Sequence, residues 1–310
     1  MGMLASLLLI ANVTFAESKA LLVQIGLDRV GLSCNTIDGN WGAKSARAFR
    51  HSQAGAKAPA DVTPEEIYEQ HYKNLGNPYR WETVTQADLE ALVKIPASPA
   101  DKAQLERMGY ESIAEMFAER GHLSRRALER LNPKVTNWSR VPVGTRIRIP
   151  DFPSMEDDLR AWPRDRSSDP ERPIAALVKV SLGRFEVTAY DAAGKLLAAF
   201  PCSIAQNKAK LPPHGELTVT TTVASPNYTY TPDPDANGRV GSRHIWPPGP
   251  NCPVGIAWIG LSLPGYGIHG TPRPESIGNA ESHGCFRLSN WNAARLYALV
   301  KPGTRVLIEK

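Results

Sequence analysis

The last part of this 310-residue chain, from residue 174 onward, is patterned for β-strands. Short runs rich in Val, Leu, Phe and Tyr alternate there with turns of Gly, Asp, Asn and Pro, which is typical of strands joined by short connections. We predict strands at 175–181, 184–190, 195–204, 215–223 and 304–309. One segment has helical spacing instead, with Leu296 and Leu299 on one face after an N-cap at Asn290 or Asn292. The pattern predicts a mainly β domain over 174–310 with one or two helices.

The N-terminus carries an apolar run of the kind found in export signals. Residues 1–16 end in the small residues Thr14 and Ala16, at the −3 and −1 positions of a cleavage site after Ala16. The run is shorter than the ~20 apolar residues needed to span a bilayer, and no later segment is long enough. We therefore expect a signal peptide over 1–16 and an exported protein that does not span the membrane.

The charge balance bears on the class of partner. Lys and Arg number 36 against 31 Asp and Glu, and the pI is about 9.0. No long block of Lys and Arg accompanies this excess, so we expect no nucleic-acid partner. A polyanionic surface such as a cell wall suits the same balance.

Residues 17–58 show the spacing of two helices. Leu21 and Ile25 share a face of the first helix, and Ala46 and Phe49 share a face of the second. A turn-rich loop separates them, so we predict a small helical module.

Residues 105–152 combine helical and strand patterns. The helical positions are Ile113, Met116 and Phe117, then Leu128 and Leu131 on a second helix, and residues 145–149 alternate as a strand. Segments rich in Pro and charge flank this unit. We predict linkers there, at 59–104 with short helices and at 153–173.

Both upstream segments resemble small modules that bind the cell wall. Ile37-Asp38-Gly39-Asn40-Trp41-Gly42, followed by Ala46 and Phe49, is similar to the hallmark of a helical peptidoglycan-binding module. The two helices and strand of 105–152, with Leu131-Asn132-Pro133, resemble the lysin motif, a glycan-binding βααβ unit. A plain helical hairpin and a structural α+β insert stay open as alternatives.

Four cysteines are scattered along the chain, which is not the pattern of a disulfide scaffold. They are Cys34, Cys202, Cys252 and Cys285. Cys202 and Cys252 flank the same predicted sheet region, and we predict a disulfide between them. Cys285 has to stay unpaired if it acts as a nucleophile.

Cys285 follows Ser282-His283-Gly284, and a second histidine, His269, precedes this motif. A thiol attacks a carbonyl as its thiolate, so it needs a nearby imidazole to take its proton. His269 is the better candidate, because His283 is only two positions from the thiol. Glycines let the backbone pass close by, so the amides of His283, Gly284 and Cys285 can point at a developing oxyanion. The pattern predicts acyl transfer.

Two other interpretations of Cys285 stay open on the residues alone. Zinc takes three or four ligands, and His269, His283 and Cys285 offer three, but no Cys-x-x-Cys pair or acidic ligand accompanies them. A free cysteine is also a common small buried residue with no chemistry.

The longer string around the motif resembles the L,D-transpeptidase catalytic domain. Gly-Ile-His-Gly-Thr and Ser-His-Gly-Cys-Phe-Arg-Leu-Ser-Asn match that family's signature, and the resemblance spans most of 174–310. It implies a β-sandwich-like fold. The resemblance implies that Cys285 is the nucleophile, that His269 is the proton donor and acceptor, and that the carbonyl of Gly270 orients His269. It also implies an oxyanion hole formed by the backbone of His283, Gly284 and Cys285. Further motif or substrate-lining positions are Ser282, Arg287 and Asn290.

The same resemblance implies a periplasmic enzyme that acts on peptidoglycan and is associated with the cell wall. The donor would be a tetrapeptide stem and the acceptor a stem-peptide or lipoprotein amine, giving 3→3 cross-links or a protein attached to the stem. No metal or organic cofactor is expected. Two alternatives remain: an L,D-carboxypeptidase or endopeptidase that uses water as acceptor, and a non-catalytic wall-binding protein.

Overall fold

The structure is a computed structural model, and it describes residues 14–53, 62–160, 173–232, 238–282 and 284–310. The side chains of Lys208, Glu281 and Ser282 are not described. The apolar run of the predicted signal peptide lies outside these ranges, as does much of the predicted linker 153–173. Within the described part of the chain, no helix is long and apolar enough to cross a membrane.

The N-terminal helices pack around one small core. They are α1 (Lys19–Arg29), α2 (Ala43–Ser52) and α3 (Pro64–Ile67), which runs on into a π-helical turn (Tyr68–Tyr72). Val23 and Leu27 of α1 pack there against Ala48 and Phe49 of α2 and against Ile67. The side-chain amide of Gln24 holds the turn-rich loop between α1 and α2, since it bonds both to Asp38 and to the backbone of Gly39 and Asn40.

A second unit is bracketed by two antiparallel strands, β1 (Tyr79–Thr83) and β2 (Arg146–Pro150). Between them lie α4 (Gln86–Glu90), α5 (Pro99–Lys102), α6 (Ile113–Arg120) and α7 (Arg125–Leu131). β1 lies in the range 59–104, for which the sequence predicts a linker. It carries Arg80 and Glu82 and gains its strand conformation from a partner far along the chain, so local pattern does not reveal it. The two strands and the helices between them span 79–150, a range that takes in most of the predicted lysin-motif-like unit over 105–152.

The predicted mainly β C-terminal domain is confirmed. Its strands in chain order are β3 (Leu177–Ser181), β4 (Glu186–Tyr190), β5 (Leu196–Pro201), β6 (Ile204–Ala205), β7 (Gly215–Ala224), β8 (Tyr228–Tyr230), β9 (His244–Trp246), β10 (Ala257–Leu261), β11 (Gly267–His269), β12 (Ala280–Ser282), β13 (Phe286–Arg287) and β14 (Arg305–Glu309). The main sheet has eight strands in the order β13-β11-β10-β7-β14-β3-β4-β5. β6 pairs with β12, and β8 pairs with β9 as a hairpin.

The main sheet is one continuous sheet, whereas a β-sandwich has two stacked sheets. It is continuous because β7 pairs with a different strand at each of its two ends. Its residues 215–218 pair with β14, and residues 219–224 pair with β10. The change of partner at Thr218 and Val219 lets the sheet curl around its core. Val178, Phe200, Ile268 and Phe286 lie in that core.

Helix α9 (Asn290–Leu299) closes the core on one side, and α8 (Met155–Arg160) packs against it. The predicted N-cap is wrong. Ser289 occupies the cap position, and Asn290 and Asn292 are completely buried within the first turn. Their amides bond to the upstream units instead, Asn290 to Glu119 and Asn292 to Ser33.

The upstream units thus pack directly on the C-terminal domain. His51 bonds Glu186 at 3.0 Å, and the backbone amide of Met108 donates to Pro248 at 2.9 Å. Asn35 donates to the carbonyl of Pro274 at 2.6 Å. The contact from Asn35 reaches the segment that links His269 to Cys285, so the N-terminal helical unit helps to support that segment.

The predicted Cys202–Cys252 disulfide is wrong, because neither of these two cysteines is in a disulfide. Cys202 is buried in the main core of the domain. Cys252 packs in a separate cluster with Met108 and Val254, and its thiol faces the carbonyl of Pro226.

Candidate active site

Two short parallel strands bring Cys285 and His269 to one face of the sheet. In the β11–β13 pair, Ile268 lies opposite Phe286 and His269 opposite Arg287. Ile268 and Phe286 point into the core. Since successive side chains of a strand point to opposite faces, His269 and Arg287 share the other face with Cys285, which directly precedes β13. Cys285 is therefore a diagonal neighbour of His269 across the pair.

The ring of His269 is held in one orientation and one tautomer. Its Nδ1 lies 2.7 Å from the carbonyl oxygen of Gly270. A carbonyl only accepts, so Nδ1 carries the hydrogen and Nε2 carries the lone pair. The ring also stacks on the indole of Trp258, with centroids 5.5 Å apart and planes at 17°.

The surroundings keep this imidazole neutral. Burial, opposed by the hydrogen bond to Gly270 and helped by the nearby charge of Arg287, lowers the pKa of His269 to about 4. Near neutral pH, Nε2 is therefore an available proton acceptor.

The thiol of Cys285 is only partly buried, unlike the other three cysteines. Its Sγ lies 3.5 Å from the carbonyl oxygen of Gly265, in the turn between β10 and β11. Burial raises its pKa, while a hydrogen bond with the backbone of Gly267 and the charge of Arg287 act in the opposite direction. The resting pair is thus a thiol and a neutral imidazole, and the thiolate has to form by proton transfer.

The backbone around the thiol is partly described. Gly284 has φ +156°, and a Cβ there would lie in ordinary van der Waals contact with Lys210 and Tyr266. His283 and the side chain of Ser282, both predicted as site residues, lie outside what the structure describes.

Arg287 lies beside both reacting groups, and its charge lowers the pKa of each. Tyr228 of the β8–β9 hairpin shares this environment: burial raises its pKa, and Cys285 and Arg287 both act on it. Sequence reasoning missed Tyr228 and Trp258. Trp258 lies opposite His269 in the β10–β11 pair, and neither belongs to the motif that identified the site.

Asn290, predicted as a motif or substrate-lining residue, is completely buried behind the site. Its Nδ2 donates to Glu119 at 3.0 Å and to the carbonyl of Pro250 at 3.1 Å. A methyl group added at Gly255 or Gly270 would collide with its Oδ1. Asn290 therefore touches the backbone that holds His269 and does not line an open cleft.

No cluster of three or more His, Cys, Asp or Glu side chains suited to a metal ion occurs among the described residues, which leave out His283.

A thiol and a neutral, oriented imidazole on one sheet face have the chemistry that nucleophilic acyl transfer by a cysteine requires. Residues 175–308 match the YkuD family model, which describes the L,D-transpeptidase catalytic domain.

Curated relatives carry the same description. The chain is 37% identical over 103 residues to a putative L,D-transpeptidase, YqjB, of Bacillus subtilis, covering 32% of this chain and 52% of that protein. It is 49% identical over 61 residues to the putative L,D-transpeptidase YkuD of Bacillus licheniformis, covering 20% of this chain and 37% of that protein. The chain thus spans about half the length, or less, of these relatives.

Solved structures are matched more distantly. An L,D-transpeptidase from Mycobacterium smegmatis matches at 21% identity with a TM-score of 0.33, over 43% of this chain and 58% of that one. L,D-transpeptidase 3 from Mycobacterium tuberculosis, in complex with a faropenem-derived adduct, matches at 18% identity with a TM-score of 0.35, over 43% and 60%. The similarity of this domain to L,D-transpeptidases rests on the family model and the curated relatives.

Proposed function

We propose that the protein is a peptidoglycan L,D-transpeptidase that forms 3→3 cross-links, or attaches a protein to the stem peptide, through a thioester on Cys285. The observation that carries the proposal is the fixed, neutral His269, whose lone-pair Nε2 shares a sheet face with a partly exposed thiol. The resemblance to L,D-transpeptidases supplies the substrate class.

The first half of the reaction acylates the thiol. His269 Nε2 takes the proton of Cys285, and Sγ attacks the carbonyl carbon of the third residue of a tetrapeptide stem. Backbone amides at His283, Gly284 and Cys285 stabilise the oxyanion. The bond to the terminal D-Ala then breaks, its nitrogen receives the proton from Nε2, and a thioester remains.

The second half transfers the acyl group. An acceptor amine of a stem peptide or a lipoprotein gives its proton to Nε2 and attacks the thioester carbonyl. The C–S bond breaks, and the imidazolium returns its proton to the sulfur. The Nδ1 bond to Gly270 stabilises the charged ring in both halves, because a carbonyl oxygen accepts more strongly from an imidazolium.

The upstream units support an exported, wall-associated enzyme. The β1–β2 unit contains a cavity of about 380 Å³ lined by Leu89, Leu92, Trp138, Arg140 and Pro142, among others. This size and this mixture of apolar and polar groups suit a sugar ligand. We place glycan binding there, which would raise the local concentration of stem peptides at the active site.

Purified protein incubated with disaccharide tetrapeptides tests the reaction. Release of D-Ala with a dimeric product supports transpeptidation, whereas a monomeric tripeptide alone indicates the carboxypeptidase. Cys285→Ala should abolish both, and Cys34→Ala, which removes a buried thiol from the core of the N-terminal helices, should keep them. Activity of Cys285→Ala equal to wild type would refute the mechanism, and no activity or carbapenem adduct in a folded wild type would favour the wall-binding alternative.

Sedimentation with insoluble peptidoglycan tests the glycan site. Trp138→Ala should reduce the bound fraction while soluble tetrapeptide is still processed. Trp81→Ala is the matched control, since Trp81 is 54% exposed on β1 and does not line the cavity. Equal binding by the Trp138 variant and wild type would rule the cavity out.

A further inference from the structure

The β1–β2 unit places one carboxyl group directly behind the active site. Glu119, near the end of α6, is 6% exposed, and its Oε1 accepts from Tyr110 at 2.9 Å and from Asn290 Nδ2 at 3.0 Å. We infer that Glu119 is a positioning residue for His269, acting through Asn290 and Gly270. The inference rests on the proposed function and adds to it an upstream unit that helps build the catalytic site.

Asn290 is oriented entirely through its NH2 group. Nδ2 donates to two acceptors, Glu119 Oε1 and the carbonyl of Pro250. Oδ1 is buried and meets no donor within the described residues. A flip would point Oδ1 at the carbonyl of Pro250, which only accepts, and at Glu119 Oε1, which already accepts from Tyr110, so the observed orientation is favoured. Glu119 therefore decides which end of the amide faces the site.

The oxygen end of that amide lies against the backbone of Gly270. Gly255 and Gly270 leave just enough room for it, since a side chain at either would overlap Oδ1. The carbonyl of Gly270 is the group that holds His269 Nδ1 at 2.7 Å. A shift of Asn290 thus moves the acceptor that fixes the ring and its tautomer.

The cost of burying Glu119 argues for such a role. Burial raises its pKa to about 8, with Glu115 on the same helix and Glu156 on α8 adding to the rise and the bonds from Asn290 and Tyr110 opposing it. A buried carboxyl is more costly than an apolar side chain of similar size. A leucine or a methionine at position 119 would be enough for packing between the units, whereas orienting the amide of Asn290 requires a hydrogen-bond acceptor.

Three variants of the full chain distinguish a positioning role of Glu119 from a role in packing alone. Glu119→Gln keeps a neutral acceptor, and Glu119→Leu removes it. Tyr110→Phe is the matched control, because it removes the other donor to Glu119 and leaves the Asn290 contact. We expect Glu119→Gln and Tyr110→Phe to stay within about threefold of wild-type kcat. Glu119→Leu should lose about tenfold to 100-fold in kcat with little change in KM, as for a base that is slightly misplaced.

The tautomer of His269 gives a readout that does not depend on turnover. In 15N spectra of imidazole-labelled protein, wild type and Glu119→Gln should show protonated Nδ1, and Glu119→Leu a mixture of tautomers. A folded Glu119→Leu with wild-type kcat and a single Nδ1–H tautomer would overturn the inference. If wild type itself lacks activity, the proposed function fails, and the tautomer comparison still tests Glu119.

A further comparison does not need Glu119→Leu to fold. As wild type is titrated from pH 7 to 9, ionisation of Glu119 changes its bond to Asn290, so the His269 signals should move with a midpoint near 8. Glu119→Gln should lack that step. The same titration in both proteins would overturn the inference.

Discussion

Replacing Glu119 by Gln should change how the stability of this protein depends on pH. Glu119 is neutral in the folded protein up to a pKa of about 8, whereas its ordinary value is 4.5. Between these values the unfolded chain releases a proton that the folded chain keeps. Stability contributed by this group is therefore complete below pH 4.5 and is lost as pH rises towards 8.

The magnitude follows from about 1.4 kcal/mol per pH unit. Below pH 6.5, His269 opposes the loss of stability caused by Glu119. Its pKa is lowered to about 4 in the folded protein, so between pH 4 and 6.5 the unfolded chain holds a proton on His269 that the folded chain lacks, and stability rises with pH. Above pH 6.5 that opposing contribution has ended. From pH 6.5 to 8, the free energy of unfolding should fall by about 2 kcal/mol.

Urea unfolding followed by tryptophan fluorescence at pH 6.5 and pH 8 measures this fall. Wild type should have the lower midpoint at pH 8, and Glu119→Gln should have nearly equal midpoints. Glu106→Gln is the control, since Glu106 is an exposed carboxyl that should leave the wild-type difference in place. Equal midpoints for wild type at the two pH values would refute a neutral buried Glu119.

Trp258→Leu removes the ring that stacks on His269, so the pKa of His269 should rise towards 6.5. The acid limb of the pH profile of kcat/KM should then move to higher pH. An unchanged acid limb would contradict the claim that burial lowers this pKa. Asp28→Asn removes the carboxylate that lies 2.9 Å from buried His122 and 3.6 Å from Arg295. The free energy of unfolding measured in urea should fall by about 3–5 kcal/mol. A fall below about 1 kcal/mol would show that stability does not depend on this charged cluster.

The strands with a clear apolar pattern could be predicted from the sequence. Runs of Val, Leu and Phe at β3, β4, β5, β7 and β14 stand between turns, and each forms close to its predicted place. The short strands around the site carry no such pattern. β11 and β13 have three and two residues and gain their conformation from the sheet that receives them.

The candidate site was predictable in part for a similar reason. Cys285 and His269 stand in a motif with glycines, so their chemistry can be read from the residues. Trp258 and Glu119 come from separate elements and meet the site only through tertiary packing, which no local spacing records. The predicted disulfide failed because a shared sheet region does not bring two thiols into contact.

The most direct test of the account is the mass of the enzyme during turnover. Wild type quenched within seconds of mixing with a tetrapeptide stem should carry the stem without its terminal D-Ala on the peptide that contains Cys285. His269→Asn should slow this acylation by about 10²-fold to 10⁴-fold, and Cys285→Ala should show none. An acyl group on another residue, or release of D-Ala by Cys285→Ala at the wild-type rate, would contradict the thioester mechanism.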